Sequence, residues 1–171
     1  DMDHLLEIAK PNVAVFTSVS TVHVEYFESV EALANEKAKL IHGVKSDGLV
    51  VLNADDETVM NAAEQVTTQM VSYGFSSRSD IQASDFNLVT REDFSFEPGE
   101  VFSTVQVNVN DSEEDLNLVM ENVLSRVNVS VALAAMAVGR HLGVEKQAII
   151  SIVKNLKQEP GRMNPIPGIK G

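Results

Sequence analysis

Three short β-branched runs constrain this chain more than any other feature: VAVFTSV (13–19), GLVVLNADD (48–56) and MVSYGF (70–75). A run with no polar residue at alternate positions is buried on both faces, which is the condition of a strand inside a parallel sheet. The stretches between them change period. SVEALANEKAKLIHGV (29–44) places Val30, Leu33, Ala34, Leu40 and Ile41 on a helical stripe with Ser29 as a plausible N-cap, and 56–69 is helical again. Parallel pairing needs a crossover between strands, and strand–helix–strand–helix–strand with short connections supplies one each time. Ahead of it, Leu5, Leu6, Ile8 and Ala9 make a helical turn or two, halted by Pro11. The predicted class is α/β: a parallel sheet with flanking helices.

After residue 80 the pattern alters. IQASDFNLV (81–89), DFSFEP (93–98), VFSTVQVNV (101–109) and DLNLVM (115–120) read as successive short strands with turns at Pro98-Gly99 and Asn110-Asp111, a small antiparallel meander at the sheet's edge. Helical period returns with VSVALAAMAVGRHLG (129–143), apolar nearly all round and expected to be buried, and with the amphipathic EKQAIISIVKNL (145–156). The closing QEPGRMNPIPGIKG (158–171) holds three of five prolines and three of nine glycines, so it cannot finish a helix or a central strand and reads as a linker.

A length of 171 residues with 44% apolar content suits one domain with a true core, packed by Val, Leu, Ile and Ala because aromatics are few. A formal charge of −12 argues against a nucleic-acid partner, whose phosphates would be repelled. Without cysteine there is neither a disulfide nor a thiolate metal site, which fits a reducing compartment. No apolar run approaches the ~18–20 residues that span a bilayer, so the expectation is a cytoplasmic protein with no membrane partner.

In open parallel sheets ligands bind beyond the carboxyl ends of the strands, which directs attention to SVSTVHVEYF and LNADDE. Four stretches, IAKPNVAVFTSVSTVHVEYFESVEALANEKAKL, GLVVLNADDE, NVSVALAAMAVGRHLGV and PGRMNPIPGIKG, resemble in order and spacing the central domain of the Mur ligase family. The closing stretch most resembles members that join D-alanyl-D-alanine to a UDP-N-acetylmuramoyl-peptide. That resemblance implies a truncated central domain with the fold of P-loop nucleotidases over 1–157, and a linker (158–171) to a further domain. It also implies ATP and Mg2+ as cofactors of the parent enzyme. ATP phosphorylates a carboxylate and an amine attacks the acyl phosphate, with cations stabilising the transferring group.

The same resemblance implies site residues. His23 stands in a motif similar to A-H-L-E-x-F, where the family binds magnesium; the alternative is a surface or packed histidine. Lys37, in NEKAKL, aligns with a lysine that the family carries carbamylated, a change that turns an ammonium into a carboxylate-like metal ligand. The alternative is an ordinary exposed lysine, and Lys39, two residues on, is the poorer candidate. Asn128 matches an asparagine that contacts adenine, an amide able to donate and accept at once. Arg162, in PGRM, matches an arginine that reaches ATP. The paired carboxylates Asp55 and Asp56 could serve a metal or a nucleotide, but for Asn53, Asp55 and Asp56 structural roles are favoured: Asp56 as a helix cap and Asn53 fixing the turn.

The sequence also departs from the family. No G-x-x-x-x-G-K-[ST] occurs, so the loop that holds the β- and γ-phosphates is missing and weak or no ATP binding is expected of this chain alone. Ser18, Ser20 and Glu28 replace family residues, as do Ser125, Val127 and Val131 in the adenine motif. Two readings stay open: a fragment of a divergent ligase, inactive alone, or a degenerate non-catalytic scaffold. An uncovered sheet edge is expected to favour self-association.

Overall fold

A computed structural model describes residues 2–20, 27, 29–90, 103–111, 115–121 and 123–156. The expected strand at 93–98, the Pro98-Gly99 turn and the linker at 158–171 lie outside the described residues. Among the described residues eleven elements follow in chain order: α1 (Met2–Ala9), β1 (Val13–Phe16), α2 (Val30–His42), β2 (Leu49–Asn53), α3 (Glu57–Ala62), β3 (Gln69–Gly74), β4 (Ile81–Thr90), β5 (Ser103–Asn110), β6 (Asp115–Glu121), α4 (Arg126–His141) and α5 (Lys146–Lys154). The strands hydrogen-bond in the order β1-β2-β3-β4-β5-β6. The chain forms two compact units, residues 1–82 and 83–171.

The first unit is the predicted parallel sheet. β1 pairs with β2 in parallel from Val13↔Leu49 to Phe16↔Leu52, and β2 with β3 from Leu49↔Gln69 to Asn53↔Tyr73. β4, expected as part of the antiparallel meander, instead joins β3 in parallel at Tyr73↔Ile81 and Gly74↔Gln82, extending the parallel sheet by one strand. One core packs Ala14, Phe16, Val50 and Leu52 of the strands against Ala38 and Ile41 of α2 and Val59 of α3. Burying each of the larger side chains contributes about 1.5–3 kcal/mol. Ser29 caps α2 as expected, its Oγ accepting from Ala32 N at 3.0 Å.

Two elements are shorter than the sequence pattern predicts. β1 ends at Phe16 instead of residue 19, because the Val19 amide turns aside to the Asp56 carboxylate, 2.9 Å away. α3 ends at Ala62 instead of residue 69, yet Val66 still packs on the core from outside the helix. The apolar pattern there came from a packed turn rather than from a third helical turn.

In the second unit β5 and β6 form an antiparallel pair, registered from Thr104↔Glu121 to Asn110↔Asp115. β5 alternates strictly, with Val105, Val107 and Val109 buried and Gln106, Asn108 and Asn110 exposed. The buried face meets Leu118 and Met120 across the ladder. On the other face Asn117 Nδ2 donates to Asn108 Oδ1 (3.0 Å) and Asn108 Nδ2 to Asp85 Oδ2 (2.9 Å). α5 packs on both β6 and α4. α4 buries Val129, Ala132, Leu133, Met136 and Ala137, but Val127 and Val131 stand exposed at 65% and 53%, so it is not apolar-packed all round. Arg140, near its end, pairs with the Asp111 carboxylate, which is buried at the end of β5.

Candidate functional site at the strand ends

β2 runs into Asn53-Ala54-Asp55-Asp56, and each polar side chain of this tetrapeptide has a distinct backbone to hold. Asn53 Oδ1 accepts from Asp55 N at 3.0 Å, an Asx turn that reverses the chain, while its Nδ2 donates to Thr17 O at 2.8 Å. Asp56 caps α3: Oδ1 accepts from Thr58 N (2.9 Å) and Val59 N (3.1 Å), satisfying amides that the first turn leaves without partners. Its second oxygen, Oδ2, takes the Val19 amide. Asp55 turns the other way. Phe75 N donates to both its oxygens at 2.9 Å and Ser76 N to Oδ1 at 2.7 Å.

The exit of the middle strand therefore fastens the exits of both neighbours, β1 through Asn53 and Asp56 and β3 through Asp55. Gly74 completes the fit. Its φ of +151° is one that L side chains rarely adopt, and a Cβ there would stand 2.8 Å from the Asp55 carboxylate. Beside it Tyr73 is 2% exposed, and burial, reinforced by the charge of Asp55, pushes its phenol up to about 12.

The structural roles favoured from sequence for Asn53 and Asp56 are thus observed. Backbone amides donate to all four carboxylate oxygens of the pair. Among the described residues no cluster of three or more His, Cys, Asp or Glu could hold a metal ion. The contacts to Thr17 and Val19 were missed from sequence. The available signal was the second oxygen of Asp56, since a cap uses only one.

Of the residues singled out from sequence, His23 and Arg162 lie outside the described residues. Lys37 sits half-buried on α2, and among the described residues no carboxylate pairs with it. Its neighbour Lys39 is engaged instead, with Asp3 at 2.6 Å and Glu36 at 2.8 Å. Those two partners raise the Lys39 pKa, and Lys39 in turn lowers that of Glu36. Asn128 lies in the first turn of α4, which begins at Arg126 rather than at 129. Its Oδ1 accepts from Ser125 N (3.1 Å), Ser125 Oγ (2.9 Å) and Leu124 N (3.3 Å), so the carbonyl that would face a ligand is held by the cap. Among the described residues no helix is long and apolar enough to cross a membrane.

A family model described as the Mur ligase middle domain matches residues 1–139. The chain is 28% identical over 163 residues to the UDP-N-acetylmuramoyl-L-alanyl-D-glutamate–2,6-diaminopimelate ligase of Bacillus cereus, covering 92% of this chain and 30% of that protein. It is 26% identical over 157 residues to the UDP-N-acetylmuramoyl-tripeptide–D-alanyl-D-alanine ligase of Bacillus subtilis, again over 92% and 30%. Among solved structures, MurF from Acinetobacter baumannii matches with a TM-score of 0.80 at 20% identity, over 98% of this chain and 34% of that one. MurF from Thermotoga maritima in complex with ADP matches at 0.73 and 22%, over 94% and 34%. At such identities the structural likeness shows the fold. The chain spans about a third of the length of the relatives it matches.

Proposed function

The chain belongs to the Mur ligase middle-domain family, and from that premise we propose that it is the nucleotide-handling domain of an ATP-dependent amide ligase of peptidoglycan precursor synthesis. The family match over residues 1–139, on a parallel sheet whose strand exits are fastened into one rim, is the observation that carries this reading. The reaction class is the joining of a carboxylate to an amine through an acyl phosphate. The carboxylate belongs to a UDP-N-acetylmuramoyl-peptide and the amine, in the finer reading, to D-alanyl-D-alanine. The closing PGRMNPIPGIKG supports that amine, while relatives named for joining L-alanine and diaminopimelate carry the same domain.

In this reading His23 and Lys37, the latter carbamylated, hold Mg2+, and Arg162 and Asn128 contact ATP, Asn128 through its Nδ2 because its Oδ1 is held by the cap. The domain works inside a longer protein that supplies a phosphate-binding loop. Asp55 and Asp56 keep the structural role of holding the strand exits. A second reading, a non-catalytic scaffold, is favoured by one observation: Val127 and Val131 are exposed beside Asn128 and offer a nucleotide base no hydrogen bond.

The test is ADP release by the full-length protein bearing this domain, supplied with ATP, magnesium, UDP-N-acetylmuramoyl-tripeptide and D-alanyl-D-alanine. His23→Ala and Lys37→Ala are expected to reduce release to background with thermal stability retained. Full activity in both variants overturns the assigned roles, and an inactive parent favours the scaffold.

A further inference from the structure

We propose that Asn53 and Asp56 are positioning residues, whose task beyond the helix cap is to fix where the chain leaving β1 goes. Past Phe16 the backbone has left the sheet ladder. Two side-chain bonds from β2's exit then replace ladder bonds: Asn53 Nδ2 to Thr17 O at 2.8 Å and Asp56 Oδ2 to the Val19 amide at 2.9 Å. They grip residues two apart, one by its carbonyl and one by its amide, so both position and direction of the segment are set. Ser20, the next residue, is exposed.

Neither bond is needed for the local structure of β2 or α3. The Asx turn uses the other atom of the Asn53 amide, and the α3 cap uses the other oxygen of Asp56. An asparagine at 56 keeps a good cap yet presents a donor, or a single shared oxygen, to Val19. A structural role alone does not explain why both residues are forked side chains with the second atom spent on β1.

The consequence for function rests on the reading of His23 as a metal-side residue. Val19 lies four residues before His23 and Phe16 seven before it. Fixing Val19 fixes the start of the segment that carries His23. The clamp itself is testable without that reading.

The chain has no cysteine, so Ser20→Cys and Asn35→Cys, the latter exposed on α2, give two unique spin-label sites. The distance distribution between them is measured in this background and with Asp56→Asn, Asn53→Ala or both. Loss of both bonds leaves Val19 held only by the packing of its side chain on the core. The width is expected to grow, by less than the roughly twofold that release back to Phe16 would give as the square root of tether length. Asp55→Asn, which weakens the grip on β3's exit and leaves β1's bonds in place, is expected to leave the distribution unchanged. A general loosening of the fold would broaden all variants alike. Unchanged width in the double variant, or equal broadening by Asp55→Asn, overturns the proposal. Broadening confined to Asn53 and Asp56 variants supports it, whatever becomes of the metal assignment. If ADP release by the full-length protein proves independent of His23, the metal reading fails and the clamp stands.

Discussion

Removing Arg140 should cost more stability than neutralising Asp111, although the two form one pair. The asymmetry comes from exposure: the Asp111 side chain is 2% accessible and that of Arg140 25%. Arg140→Met keeps the aliphatic stem but leaves a carboxylate that water cannot reach. Breaking a buried pair from one side costs about 3–5 kcal/mol, and we take the low end, about 3, because the guanidinium was never fully desolvated and Asp111 is not left without a partner. Losing a cation from the last turn of α4 adds up to about 1 kcal/mol. Asp111→Asn leaves a guanidinium that can rehydrate, and forfeits the charge assistance of the bond to Arg140, about 1.5–3 kcal/mol at most. Urea unfolding followed by circular dichroism reads the difference. With a slope near 2 kcal/mol per molar, the Arg140→Met midpoint should fall by about 1.5 M with the slope unchanged. The double variant should be less destabilised than the sum of the two singles, because its remaining amide carries no charge to strand. An Asp111→Asn chain as unstable as Arg140→Met, or an Arg140→Met loss below about 1 kcal/mol, refutes the reasoning from desolvation.

Gly74→Ala should destabilise by about 2 kcal/mol, since it combines a φ of +151° with a Cβ 2.8 Å from Asp55, and a thermal melt matching the parent would count against that close approach. With Tyr26→Phe leaving one tyrosine, ultraviolet titration should show the Tyr73 phenol ionising near 12. Below pH 10 the phenol is neutral folded or unfolded; between 10 and 12 only the unfolded chain ionises, so stability falls by about 1.4 kcal/mol per pH unit. Ionisation at 10 in the folded chain would contradict its burial. β1 ends the strand order, and light scattering of the 171-residue chain is expected to report dimers or larger species; a clean monomer at high concentration would disprove self-association through that edge.

The parallel core was legible because runs without polar alternation leave a plain mark. Yet only β2 is buried on both faces: β1 alternates half-buried and buried residues, and β3 is exposed at Gln69 and Met70, so the expected two-sided burial holds for the middle strand alone. What escaped was where elements stop. β1 looked longer because Val19 is β-branched, but its amide is captured by a side chain from a residue 37 positions away, which no local pattern reports. The helix predicted over 56–69 was overrun because Val66 is packed, and packing without helical hydrogen bonds has the same apolar signature. α4's start was readable in principle: Ser125 and Asn128 stand three apart, the spacing of a reciprocal cap, and the adenine motif drew attention to the same asparagine for another reason. Of the candidate site, sequence identified the NADD stretch and weighed its roles correctly, but not the two backbone atoms of β1's exit that it holds.

Whether this domain drives amide ligation only within a longer protein is tested most directly by comparing ADP release from the 171-residue chain and from the full-length protein under the same substrates. Release is expected from the full-length protein alone, and only when both the UDP-sugar peptide and the amine are present. Turnover by the isolated chain, or release from the full-length protein that ignores either substrate, would contradict the account.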